Sequence, residues 1–121
     1  MKIQKFEEIE AWKSARILTK KIYELTNGNI KLNKDFGLKD QLQRASVSIM
    51  NNIAEGFERQ SRAEFIKFLY YSKGSVGEIR SLLYVILDNK YFSQDEFNEF
   101  YDLTNHISNL IGKFIVYLKK C

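Results

Sequence analysis

Proline is absent from the 121 residues, cysteine and histidine occur once each, and glycine occurs only six times. Without proline, and with so few glycines, the turn chemistry that an all-β fold needs between its strands is missing. A single thiol, Cys121, cannot close an internal disulfide, and it rules out a Cys-rich zinc site, so a reducing cytoplasm is the expected setting. No stretch approaches the ~20 apolar residues of a membrane span. The opening Met1-Lys2-Ile3-Gln4-Lys5-Phe6-Glu7-Glu8 also lacks the apolar core of a secretion signal. What is present suits one folded domain over residues 1–121: the chain is 45% hydrophobic with a net charge of +4, enough apolar surface to offset the entropy of ordering.

Apolar residues recur at steps of three and four, so the expected fold is all-α. Helix one, about 8–26, gathers Ala11, Ala15, Leu18, Ile22 and Leu25 on one face and stops at Asn27-Gly28-Asn29. A polar connection is expected up to Asp35. Helix two, about 36–55, carries Leu38, Leu42, Ala45, Ile49 and Ile53, with Gly56 placed to take a left-handed conformation at its end. Helix three, about 62–89, opens on the capping-box spacing Ser61-Arg62-Ala63-Glu64 and carries Phe65, Leu69, Ser72, Val76, Ile79, Leu83 and Ile86 in alternating steps of four and three. Helix four, about 94–119, opens on Ser93-Gln94-Asp95-Glu96 and carries Phe97, Tyr101, Thr104, Ile111, Ile115 and Leu118. Short connections make the last three helices antiparallel neighbours, which predicts an up-down four-helix bundle.

Some residues fall on faces that a lone bundle would not need to make apolar. Helix two has Val47, Met50 and Ala54 on or near its outer side, and helix three has Tyr70, Gly74, Gly77 and Ser81 opposite its stripe. Helix four spreads wide once Leu103, Leu110, Phe114 and Tyr117 are included. A glycine inside an exposed helix costs about 1 kcal/mol relative to alanine, so Gly74 and Gly77 call for close approach by another backbone. These residues are the expected oligomer interface, against the plain alternative of scattered surface apolarity.

The chemistry of enzymes finds little to stand on. A di-iron bundle needs Glu-x-x-His pairs, and the residue three before His106 is Leu103. A nucleophilic set on Asp102 and His106 lacks an oriented serine and an oxyanion hole. No phosphate-cradling glycine loop occurs. Glu55 and Glu58 have a spacing found among the carboxylates of a magnesium-dependent hydrolase, but Gly56 between them is expected to end the helix. The chain is therefore read as non-enzymatic, with no metal and no cofactor.

Positive charge is polarised, with eight basic against four acidic residues over 1–34 and five against three over 61–92. Lys13, Arg16 and Lys20 share about 60° of helix one beside Tyr23, and Arg62, Lys73 and Arg80 line one flank of helix three near Tyr84. Such stripes suit phosphates, with tyrosines free to stack on unpaired bases, so RNA or single-stranded DNA is the expected ligand. An ordinary solvated helix face is the plain alternative. A protein-binding adaptor presenting Trp12, Tyr70 or Tyr117, with no direct nucleic-acid role, is the competing function.

The runs Phe36-Gly37-Leu38, Gln41 to Ile49, Asn52-Ile53-Ala54-Glu55-Gly56, Glu64-Phe65, Phe68-Leu69 and Gly74-Ser75-x-x-Glu78 belong together. With the opening helix Phe6 to Thr26, they resemble the bacterial four-helix bundle family of 23S rRNA intervening-sequence proteins, also called S23-like ribosomal proteins. Met50 departs from the proline common there, as does the proline-free Asn27 to Asp35 connection. The resemblance implies a ring-shaped homo-oligomer, a homopentamer, and an RNA connection. It extends to the basic pentameric accessory proteins of diversity-generating retroelements, which contact nucleic acid and a reverse transcriptase. It also gives helix two a polar face of Arg44, Ser48, Asn51 and Glu55, where Arg44 and Glu55 are expected to form a hydrogen-bonded structural network with Asn52 at the core edge.

Overall fold

The computed structural model describes residues 2–121, and among them every regular element is helical. A single 3-10 turn, Phe6–Glu8, leads into α1 (Glu10–Gly28), α2 (Ile30–Lys34), α3 (Phe36–Glu58), α4 (Arg62–Asp88) and α5 (Gln94–Lys120). The four long helices pack in the cyclic order α1, α3, α4, α5, each against two neighbours. Numbering rises along one helix as it falls along the next: Thr19 meets Ser46, Gly56 meets Phe68, Arg80 meets Asn105, and Lys21 meets Glu99. Neighbours are therefore antiparallel, and α1 lies diagonally across from α4.

The expected stripes form the core. All five on α3 and all seven on α4 are buried, as are Ala11, Ala15, Leu18 and Ile22 on α1. At the edges the pattern shifts, with Thr26 fully buried where Leu25 is half-exposed, and with Phe100 and Ile107 completing the α5 face while Tyr101 is only partly covered. Burying a Leu or Ile side chain stabilises the fold by roughly 1.5–3 kcal/mol before ordering entropy is counted, so these stripes set the architecture.

The helix ends follow from capping chemistry. Ser93 Oγ accepts from Glu96 N while the Glu96 carboxylate accepts from Ser93 N, a complete capping box. At Ser61 only half of the box forms: Ser61 Oγ accepts from Glu64 N at 3.3 Å, and the Glu64 carboxylate faces Arg59 at 3.6 Å instead. The connection expected over Asn27–Asp35 is not all coil. Asn29 Oδ1 accepts from Leu32 N at 2.9 Å and starts α2, whose Leu32 is fully buried.

Gly56 does not end its helix. No glycine among the described residues has positive φ, α3 runs on to Glu58, and the left-handed residue of the following turn is Gln60 at φ 54°. The reason for glycine at 56 is packing: a Cβ there would lie 2.7 Å from Phe68 Cβ and 3.0 Å from Phe65 Cδ1. The α4–α5 turn likewise uses a non-glycine left-handed residue, Lys90 at φ 59°.

Polar atoms stitch the interior seams. Ser72 Oγ, fully buried, donates to Ile49 O at 2.8 Å, Ser48 and Ser75 share a hydroxyl contact at 3.0 Å, and Thr19 Oγ1 donates to Ser46 O at 3.1 Å. Every buried side-chain polar atom among the described residues has a partner, as a stable interior requires.

Candidate nucleic-acid interface

The six basic residues singled out by sequence divide between two opposite flanks. Lys13, Arg16 and Lys20 are exposed on α1, around a shallow groove of about 370 Å³ lined also by Trp12 and Ile17. There Lys13 is 3.5 Å from the Glu10 carboxylate, and the Arg16 guanidinium stands 5.9 Å over the Trp12 ring. Arg62, Lys73 and Arg80 face the seam between α4 and α5, on the far side of the diagonal. No one surface gathers all six.

The α4–α5 seam is the better-developed site, because α5 adds cations that the sequence reading left out. Lys73, Ser108, Asn109, Gly112, Lys113 and Val116 line a groove of about 380 Å³, and no carboxylate is among them. Gly112 lies on the floor, where a Cβ would be in ordinary contact with the Lys73 Cε at 3.8 Å. Two turns along, Arg80 donates to Asn105 Oδ1 at 2.9 Å. In the other direction Lys119 Nζ donates to Tyr70 Oη at 2.9 Å and lies 5.3 Å over that ring, and Arg62 donates to the Cys121 carbonyl oxygen. Among the described residues Lys73, Arg80, Lys113 and Lys119 have no carboxylate partner. The seam thus presents a line of cations without carboxylate ion pairs, an arrangement that suits anions.

Asn105, Asn109 and Lys113 recur every four residues on α5, and that spacing was the available signal. Its meaning depended on antiparallel register with α4. Where the seam passes Arg80, Tyr84 packs on Phe97 and Tyr101, at 4.9 and 6.1 Å between ring centroids. Partial burial, then the adjacent Tyr101 phenol, pushes the Tyr84 hydroxyl above its ordinary value.

The polar network expected on helix two is arranged differently. Arg44 pairs with Asp40 at 2.9 Å and Glu55 with Arg59 at 3.2 Å, each one turn away, so the two never meet. Eleven positions on one helix separate them by about 16 Å, beyond side-chain reach. Asn52 instead donates to Ser48 O and Ser48 Oγ, at 2.9 and 3.0 Å, joining the Ser48–Ser75 contact between α3 and α4. Glu58 is helical and exposed, as is Glu55. His106 is exposed on α5, and no group of three or more His, Cys, Asp or Glu among the described residues is placed to hold a metal ion.

The residues expected at an oligomer interface are also divided. Met50, Leu103 and Leu110 pack against the core of their own chain, which accounts for their apolar character without a partner. Val47, Ala54 and Gly77 are half-buried, whereas Gly74, Ser81, Tyr70 and Tyr117 are exposed. Among the described residues nothing beyond its own helix backbone lies within 4 Å of a Cβ built on Gly74, and only the end of the Arg80 side chain, at 3.9 Å, approaches one on Gly77.

The family model for the 23S rRNA-intervening sequence protein matches residues 7–113. The chain belongs to that family. A crystal structure of a protein of unknown function from the S23 ribosomal protein family of Bacteroides thetaiotaomicron VPI-5482 has the same fold, with a TM-score of 0.81. It is 23% identical in sequence, and the match covers 87% of this chain and 94% of that one. No curated protein matches the chain. The match to the family model spans the whole α4 flank of the cationic seam and α5 as far as Lys113. Among the described residues no helix is long and apolar enough to cross a membrane.

Proposed function

We propose that this member of the 23S rRNA-intervening sequence protein family is a non-catalytic, self-assembling scaffold in the cytoplasm that holds RNA or single-stranded DNA along the α4–α5 seam. One observation carries the reading: Lys73 and Lys113 converge from two helices on a groove lined by no carboxylate, with Arg80 and Lys119 continuing the line. Each phosphate neutralised there releases counterions, and a run of such contacts gives affinity without sequence preference. Assembly into a ring, a homopentamer by family likeness, would repeat the seam and sum its potential. The uncovered Gly74 is the feature that favours a neighbouring backbone.

The test is a salt titration of binding to a single-stranded RNA oligonucleotide. Affinity should fall steeply as salt rises, and Lys73→Ala/Lys113→Ala should weaken binding at low salt while leaving the helical spectrum unchanged. Absence of binding at low salt, or binding indifferent to salt, would overturn the proposal.

The half-exposure of Tyr70 and Tyr117 favours a second reading, an adaptor for a protein such as a reverse transcriptase or another nucleic-acid enzyme. Trp12 fits it less well, being half-buried against Phe6 at 5.2 Å. An adaptor keeps its partner when Lys73 and Lys113 are replaced by alanine, and a nucleic-acid scaffold does not.

A further inference from the structure

Among the described residues the most exposed large apolar side chains are Ile30 and Phe36, each at 75%. Both sit at the corner where α2 meets α3, and the Phe36 ring pairs with no other aromatic or cation among the described residues. Exposed apolar residues on floppy loops are common, but this corner is rigid. Asn29 caps α2 and donates to Tyr91 O at 2.6 Å. Asp35 caps α3 and accepts the Tyr91 hydroxyl at 3.0 Å. The buried Leu32 anchors the short helix from beneath. The corner therefore fixes the backbone from which two apolar side chains project into water, which lowers the ordering cost of any contact they make.

We infer that this corner is a base-stacking site for single-stranded nucleic acid, with Phe36 as the stacking platform and Lys31, Lys34 and Lys39 as its phosphate contacts. The charge around Phe36 selects the occupant. The three lysines have no carboxylate partner among the described residues, and the two acids nearest the ring in sequence are engaged: Asp35 accepts from Tyr91 and Leu38, and Asp40, one turn on, pairs with Arg44 at 2.9 Å. A flat, unpartnered ring with lysines close by in sequence on both sides matches an unpaired base flanked by phosphates, and such stacking tolerates any sequence. Two apolar side chains are too small a surface to hold a protein partner by burial alone. The inference extends the nucleic-acid reading to a second surface, at the α4–α5 loop end of the bundle.

The experiment measures binding of a ten-nucleotide single-stranded RNA, the matching DNA strand and an RNA duplex. The variants are Phe36→Ala, Phe36→Leu, Phe36→Trp in a Trp12→Phe background, and Lys73→Ala/Lys113→Ala. Phe36→Ala and Phe36→Leu should each weaken both single strands about tenfold and leave the duplex unchanged, because stacking needs a ring and an unpaired base. Phe36→Trp should keep the affinity, and the new indole emission should be quenched by either strand. Full affinity in Phe36→Leu, an unquenched indole, or loss of assembly in Phe36→Ala by light scattering would overturn the inference, the last by assigning the corner to a second copy of the chain. Loss of binding in the lysine pair with none in the Phe36 variants leaves the seam standing and removes the corner; the reverse pattern removes the seam. No binding by the unaltered protein removes both.

Discussion

Tyr91, in the α4–α5 connection, donates its phenolic hydroxyl to Asp35 Oδ2 at 3.0 Å, so the residue that caps α3 is also tied to the opposite pair of helices. The hydrogen bond to Asp35, followed by partial burial and the carboxylate's charge, raises the Tyr91 pKa above its ordinary 10.0. A raised folded-state value means that the tie is fully present below the unfolded phenol's pKa and is lost as pH climbs through the folded one. Thermal melts should show Tyr91→Phe less stable than the unaltered chain at pH 7, with the gap closing above pH 10. A gap that widens in alkali would contradict the assignment.

Gly56 tests the α3–α4 contact. Alanine is the better helix former by about 1 kcal/mol. The added methyl, however, would meet Phe68 Cβ, which is fixed to its backbone and cannot swing aside. Overpacking of this kind costs about 1–3 kcal/mol, so Gly56→Ala should lower stability on balance, measured by urea unfolding.

Gly74 makes the opposite case. With open space around it, Gly74→Ala should stabilise an isolated chain by about 0.5–1 kcal/mol. Gly74→Leu should leave the helical spectrum intact and reduce the particle mass in light scattering, if a second copy lies against this face. A mass unchanged by leucine would remove Gly74 from the interface.

The seam makes a quantitative demand on salt dependence. Each phosphate contact to a single strand contributes about 0.7 to the slope of log affinity against log salt. Replacing Lys73 and Lys113 together should therefore flatten the slope by about 1.4, whereas Arg44→Ala, whose partner is Asp40, should leave it unchanged. Filter binding over a range of potassium chloride checks both.

Much of the fold was legible because the core is written in a strict period. Phe65 through Ile86 alternate steps of four and three, and every member of that stripe is buried. Failures came where a residue type serves two purposes. Gly56 reads as a helix terminator by its backbone freedom, yet it is there for its missing side chain, and only the position of Phe68 distinguishes the two. Met50, Leu103 and Leu110, expected at an interface, also pack on their own core, because a helical wheel does not show how far a long side chain reaches back toward it. Arg44 and Glu55 share a face but lie too far apart along the axis, where each finds a nearer partner. The cationic seam was half visible, since Arg62, Lys73 and Arg80 could be read from α4 alone, while Lys113 and Lys119 joined them only through antiparallel pairing.

Both corners that bracket α4 turn on side chains where glycine would sit more easily: Gln60 at φ 54° and Lys90 at φ 59°. The left-handed conformation costs an ordinary residue about 1–2 kcal/mol. The molecule therefore carries reserve at these two bends, and a glycine at either place is a route to a hardier protein that leaves the core and the cationic seam untouched.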